Sequence, residues 1–150
     1  MNEEYNKLPL KIILDVIADF MELDEEHCYI YNQKWSIPKD GKICVVGSMN
    51  ASKIIANNKK HTKYNNVFTE NLNLRQIQTM ELNIFGYDLD VLTRKDEVIM
   101  ALKTDKAQNT FENNGFYIVD IPNNILNVNE SDGAKILYRY VISFSDPKDL

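Results

Sequence analysis

The sequence predicts an α+β fold: an antiparallel or mixed β-sheet with two main helices packed on one face and a long β-hairpin. Three observations carry that prediction. The order of segments is helix, strands, helix, strands. The middle of the chain, "NLNLRQIQTMELNIFGYD", alternates apolar and polar residues over the length of a long strand. The closing stretch, Ser131 to Ser145, is bulky on both faces, with Ile136, Tyr138, Tyr140, Ile142 and Phe144 on one and Leu137, Arg139 and Val141 on the other. A strand with one face in water does not look like this, so each face needs a cover. At 150 residues the chain has the length of one domain, residues 1–150, and a domain of that size hides about 68–70% of the surface its unfolded chain exposes.

Taken in order, Leu10, Ile13, Leu14, Ile17, Phe20 and Met21 recur at helical spacing opposite Lys11, Asp15, Asp19 and Glu22, and Pro9 suits a first helical turn. After the acidic turn Asp24 to Glu26, the aromatic stretch "HCYIYNQKW" reads as a short strand, and Pro38 with Asp40-Gly41 marks a connection. "KICVVGSMNASKII" is an extended strand in which Gly47 marks either a bulge or a close approach. Asn57 to Asn66 contains no aliphatic residue and is expected to be an exposed loop or hairpin tip. The strand that follows places Leu72, Leu74, Met80, Leu82 and Ile84 on one face, with Ile77 the exception.

Thr93, three residues before Asp96, is a variant capping box for a second helix whose stripe is Val98, Ile99, Leu102 and Phe111 and whose end is Asn113-Asn114-Gly115. "FYIVDI" reads as a short strand, Pro122 to Gly133 as a polar connection, and the last stretch as the closing strand. Two modest helices cover one face of such a sheet and leave the other to something else.

With 44% hydrophobic and 26% charged residues the composition is that of an ordinary globular protein. The formal charge of -5 argues against a protein whose main task is to hold nucleic-acid phosphates. The N-terminal stretch has acids where a signal peptide has basic residues, and no apolar run approaches the roughly 18 residues of a membrane span, so neither a secretory route nor a membrane partner is expected. Cys28 and Cys44 are therefore expected to be reduced, buried thiols.

Candidates for catalysis are few. His27 and Cys28 are adjacent, so on a strand they point to opposite faces; the expected roles are a histidine at a strand edge and a cysteine in the core. A small enzyme or ligand-binding domain using this pair is the rival reading. Two histidines and two cysteines show no metal spacing, and the glycines never cluster into a phosphate loop. Asp15, Asp19, Glu22 and Glu26 lie opposite the apolar stripe, and Asp88 and Asp90 are expected to cap or end a strand. No residue is assigned as catalytic, cofactor-binding or metal-ligating, and no cofactor is expected. Lys59, Lys60, His61 and Lys63, with Tyr64, form a basic cluster with an aromatic, suited to a solubilising hairpin tip or to contact with nucleic acid or an acidic protein surface.

Four stretches carry a resemblance: "YIYNQKWSIPKDGKICVVGS", "NLRQIQTMELNIFGYDLDVLTRKDEVIMALKTDKAQ", "NGFYIVDIP" and "DGAKILYRYVISFS". In their order and spacing, from about Leu8 to Ser145, the chain resembles the phage tail terminator proteins, also described as neck, tail-completion or head-tail joining proteins. The resemblance implies a structural virion protein that forms a homohexameric ring on the head-proximal end of a completed tail tube, assembled in the host cytoplasm. It implies as partners the chain itself, the tail tube protein and the head-completion or connector protein, and no enzyme activity. A head-completion or tail tube protein of the same machinery is the alternative. DNA passes through such a ring, and an acidic chain suits that passage because a basic lumen would hold DNA back. Subunits in a closed ring meet through two different patches. The candidates are Lys59, Lys60, Lys63 and Tyr64 at the hairpin tip and Leu137, Arg139 and Val141 on the last strand, with Tyr138, Tyr140 and Phe144 as the other option because register decides which set faces out. Arg139 is expected to pair with an acid of the adjacent subunit or of its own.

Overall fold

The structure is a computed structural model that describes residues 8–31, 40–64, 67–118, 121–123, 125–132 and 135–149; side chains within the strands are described outside 50–76, 130–135 and 146–149. Helix α1 (Pro9–Met21) starts on proline, whose missing amide hydrogen would have no partner in a first turn anyway. Leu10, Ile13, Leu14, Ile17 and Met21 are buried, and their spacing of three and four puts them on one side. Phe20 departs from the predicted stripe. At 100° per residue it lies about 80° from Leu10, at the stripe's edge, and it is 42% exposed. Glu22 ends the helix in the left-handed region (φ 57°), which lets the Leu23 amide donate to the Ala18 carbonyl at 2.9 Å.

The strands are β1 (Cys28–Ile30), β2 (Cys44–Tyr64), β3 (Val67–Gly86), β4 (Leu126–Asn127), β5 (Glu130–Asp132) and β6 (Lys135–Asp149). They run in the order β1-β2-β3-β6-β4, with β5 also paired to β6. β1 is parallel to β2 and the remaining pairs are antiparallel, so the sheet is mixed and the fold is α+β.

β2 and β3 pair along their whole length, from Cys44 opposite Phe85 to Tyr64 opposite Val67. β6 accompanies β3 only between Arg75 and Gly86. The eight pairs from Asn57 opposite Leu74 to Tyr64 opposite Val67 are therefore a two-stranded ribbon among the described residues. Of the two expectations for Asn57 to Asn66, loop or hairpin tip, the loop is corrected: the ladder runs to Tyr64, and residues 65–66 lie outside the described residues. Absence of aliphatic residues signalled exposure, but ladder hydrogen bonds use the backbone, and register fixed near the core propagates outward.

The predicted second helix is three pieces, α2 (Asp90–Arg94), α3 (Glu97–Lys103) and α4 (Asp105–Asn113). Thr93 does not form the expected capping box; its hydroxyl donates to the Asp90 carbonyl inside α2, and Asp96 precedes α3 without a side-chain cap. The cap forms at Thr104, whose extended backbone breaks the helix and whose Oγ1 accepts from the Ala107 amide at 3.1 Å. The predicted end at Asn113-Asn114-Gly115 is where α4 stops. Gly115 adopts φ 80° and donates to the Glu112 carbonyl, while the Phe116 amide reaches the Phe111 carbonyl at 3.1 Å. The Phe111 and Phe116 rings, 5.2 Å apart, add the apolar contact of such a cap.

Two further expectations are corrected. "FYIVDI" is not a strand over its described residues: Phe116 is taken by the helix cap, and Phe116 and Ile118 are buried anchors of an irregular segment. The connection from Pro122 to Gly133 contains β4 and β5, too short for any period to show in sequence.

All four helices contribute to one core with the near face of the sheet. Ile43 and Val45, Met80, Leu82 and Ile84, and Tyr140, Ile142 and Phe144 meet the α1 stripe and Val91, Val98, Ala101, Leu102, Ala107 and Phe111. Gly47 is a place of close approach: a Cβ there would lie 2.8 Å from Leu10 Cδ1. Tyr138 is half-buried beside this core, whereas Ile136, predicted to belong to the same apolar row, is 53% exposed beyond it.

Truncating a fully buried member of the α1 stripe leaves a cavity, so Ile17→Ala is expected to cost about 2–5 kcal/mol in urea unfolding. Phe20→Ala should cost a small part of that; equal losses would place α1 wrongly on the sheet. Thr104→Ala should cost about 1 kcal/mol by removing the α4 cap, and an unchanged midpoint would mean that the cap is not formed.

Candidate functional site

Alternation along the strands puts Cys44 and Val46, Glu81, Asn83 and Phe85, and Leu137, Arg139 and Val141 on the face turned away from the helices. One end of this far face is apolar, a buried cluster of Cys44, Val46, Phe85 and Leu137 flanked by Tyr29 and Tyr87. The Tyr29 hydroxyl is buried there without a hydrogen-bond partner among the described residues, and burial pushes its pKa up to about 12. The middle is polar. Arg139 donates from Nε and Nη2 to Asn83 Oδ1 at 3.1 and 2.9 Å, and Asn83 donates to Glu81 Oε1 at 3.1 Å.

These positions sort the predicted interface residues. Leu137 is only 8% exposed and packs within its own chain, so as an outward contact it is corrected. Arg139 is bonded to its own chain's Asn83. Val141 is half-buried and lies opposite Leu126 of β4, which is 64% exposed. Sequence reading missed Leu126 because a two-residue strand has no pattern; its pairing with β6 is what brings it beside Val141. Lys59, Lys60, Lys63 and Tyr64 belong to the far half of β2, opposite Leu72, Asn71, Phe68 and Val67, and their side chains lie outside the described residues.

His27 and Cys28 are not brought together as nucleophile and base. His27 sits at the start of the edge strand β1, is 7% exposed, and bonds Asp24 through Nδ1 and Asp40 through Nε2, at 2.5 and 2.8 Å. Burial alone would lower its pKa, but the two carboxylates outweigh it and the net shift is upward. Asp24 is held below its usual range, first by its bond to His27. Desolvation pushes Asp40 upward, yet the Lys42 amide and His27 leave it lowered. Cys28 points into the core, where its thiol donates to the Leu14 carbonyl at 3.3 Å, and burial raises its pKa to about 12. Cys44, on the far face, is likewise raised to about 12, by burial and then by the nearby charges of Asp40 and Asp24.

A cavity of about 150 Å³ separates α1 from α4, lined by Val16, Phe20 and Ala107 and bridged by an Asp19–Lys106 ion pair at 3.1 Å. Both side chains of that pair are largely exposed to solvent. Among the described residues no three histidine, cysteine or acidic side chains converge as metal ligands, and no helix is long and apolar enough to cross a membrane. No protein-family model matches the chain, and no curated protein is significantly similar to it in sequence.

With both pKa values near 12 the thiolate fraction at neutral pH is very small, so neither cysteine should react appreciably with iodoacetamide in the native protein at pH 7.5, and both should react in denaturant. Rapid native labelling of Cys28, read by mass spectrometry, would revive a nucleophilic role.

Proposed function

We propose that the chain is a structural virion protein, a tail terminator that caps the completed tail tube as a ring and offers the head connector its docking surface. One observation carries this reading beyond the resemblance of its segments: the two-stranded ribbon that β2 and β3 extend eight pairs past the last β3–β6 pair. An isolated two-stranded ribbon is marginal in water. A ribbon of this length makes physical sense when a second surface receives it, and a subunit that caps a tube must reach both its ring neighbours and the tube. Val141 and exposed Leu126 add an apolar strip on the face without helices. The charge of -5 agrees with a lumen that lets DNA pass.

Electron microscopy of tails carrying the labelled protein should place signal at the head-proximal end; signal elsewhere would refute the assignment. Loss of the protein should give over-long or unjoined tails beside filled heads, whereas normal tails beside leaking heads would point to a head-completion protein. Replacing residues 57–74 by a short turn should leave the core's melting temperature close to that of the intact chain while abolishing joining in complementation. Full joining by that variant would remove the ribbon from the mechanism.

A further inference from the structure

Among the described residues, His27 is the only polar or charged residue that is buried. Its two ring nitrogens are bonded to carboxylates on different segments, Asp24 in the turn after α1 and Asp40 in the turn before β2. A neutral imidazole has one N–H and one lone pair, so it donates to one carboxylate and turns its lone pair toward the other. Only the imidazolium donates to both.

We propose that His27 is a pH-operated clasp: its protonated ring ties the turn leaving α1 to the turn entering β2, and loss of the Nε2 proton releases Asp40 while Nδ1 keeps Asp24. The asymmetry follows from what else holds each carboxylate. Asp24 Oδ1 also accepts from the Glu26 and His27 amides, both at 3.2 Å, and its carbonyl accepts from the His27 amide, so ring and acid stay together in one tight turn. Asp40 belongs to the other side. Its Oδ1 accepts from the Lys42 amide within the turn, and the turn itself is moored to the start of α2, where the Asp88 amide donates to the Gly41 carbonyl and Asp90 Oδ2 accepts from the Ile43 amide at 3.1 Å. Between these moorings the Nε2–Asp40 bond is the side-chain tie among the described residues.

Among the described residues, the charged and titratable groups around the clasp are Asp24 and Asp40, with Lys42 acting on Asp40 and Cys44 on β2 feeling both acids. The sign is fixed by the directions of the shifts. His27 is raised, so its contribution to stability is complete below the unfolded value of about 6.5 and disappears as pH rises through the folded value. Asp24 and Asp40 are lowered, so their contribution is complete above about 3.9 and disappears as pH falls through their folded values. The clasp is thus tightest between the two windows and opens on the alkaline side first at Asp40.

The test follows the imidazole by NMR in the full chain carrying His61→Gln, which leaves His27 as the single histidine. Its titration midpoint should lie above that of the same residue in the urea-unfolded chain, and Asp40→Asn should move it down. Above the midpoint, nitrogen shifts should report the Nδ1–H tautomer, and exchange of the Lys42 amide should quicken. A folded midpoint at or below the unfolded one, or an Nε2–H tautomer, overturns the proposal, and so does an Asp40→Asn midpoint that does not move. Should Asp40→Asn not fold, the midpoint comparison and the tautomer in the parent chain decide alone.

Discussion

The fold depends on one contact surface, the seat of α1 on the near face of β2 and β3. Leu10 and Leu14 approach the sheet where Gly47 has no side chain, and a Cβ at that position would meet Leu10 Cδ1 at 2.8 Å. With α1 seated there, Ile13, Ile17 and Met21 fall against the same core as Met80, Leu82 and Ile84, and α3 and α4 pack against α1 and add Val98, Leu102 and Phe111 to that core. Each of these residues is apolar and close-packed, so the arrangement tolerates little displacement. The two faces of β6 thereby acquire different fates, because a helix layer can seal only the face it lies on.

That difference shows what the sequence made legible and what it did not. The α1 stripe, the alternation of β3 and the bulky row of β6 are long and periodic, and burial follows them closely at Ile13, Leu82 and Ile142. Register was not legible, since moving β6 by one residue exchanges Tyr140 and Phe144 for Leu137 and Val141. Pairing of Asn83 with Val141 and Ile84 with Tyr140 decides it. The helix break at Thr104 was hidden because a threonine within a run of good helix formers is a weak signal until its hydroxyl finds the Ala107 amide. The bonding of His27 was hidden for a related reason. Its partners Asp24 and Asp40 lie 3 and 13 residues away, and only the parallel pairing of β1 with β2 brings the second one near.

The far face divides its work between burial and polarity. Cys44, Val46, Phe85 and Leu137 close one end without a helix, and the Arg139–Asn83–Glu81 chain occupies the middle with matched donors and acceptors. A face whose centre is already hydrogen-bonded offers a partner its margins rather than its middle, because displacing a satisfied polar network without replacing its bonds costs more than apolar contact returns. Within the described residues the margin with exposed apolar surface is Val141 with Leu126.

The ribbon beyond the sheet has its own mechanical logic. β2 carries register shifts between Met49 and Ala51 and between Ile54 and Ala56, and the second of these falls beside Arg75, where β6 stops accompanying β3. A bulge bends its strand and increases the twist. Placed at the border between sheet and ribbon, it sets the direction in which the ribbon leaves the body of the protein. The ribbon lies beyond the last pair between β3 and β6, so its ladder is made by two strands alone, and its opening need not propagate inward. Such a segment is ordered most economically by the surface that it meets, which is why direction, fixed by the bulges, matters more to its action than intrinsic rigidity does.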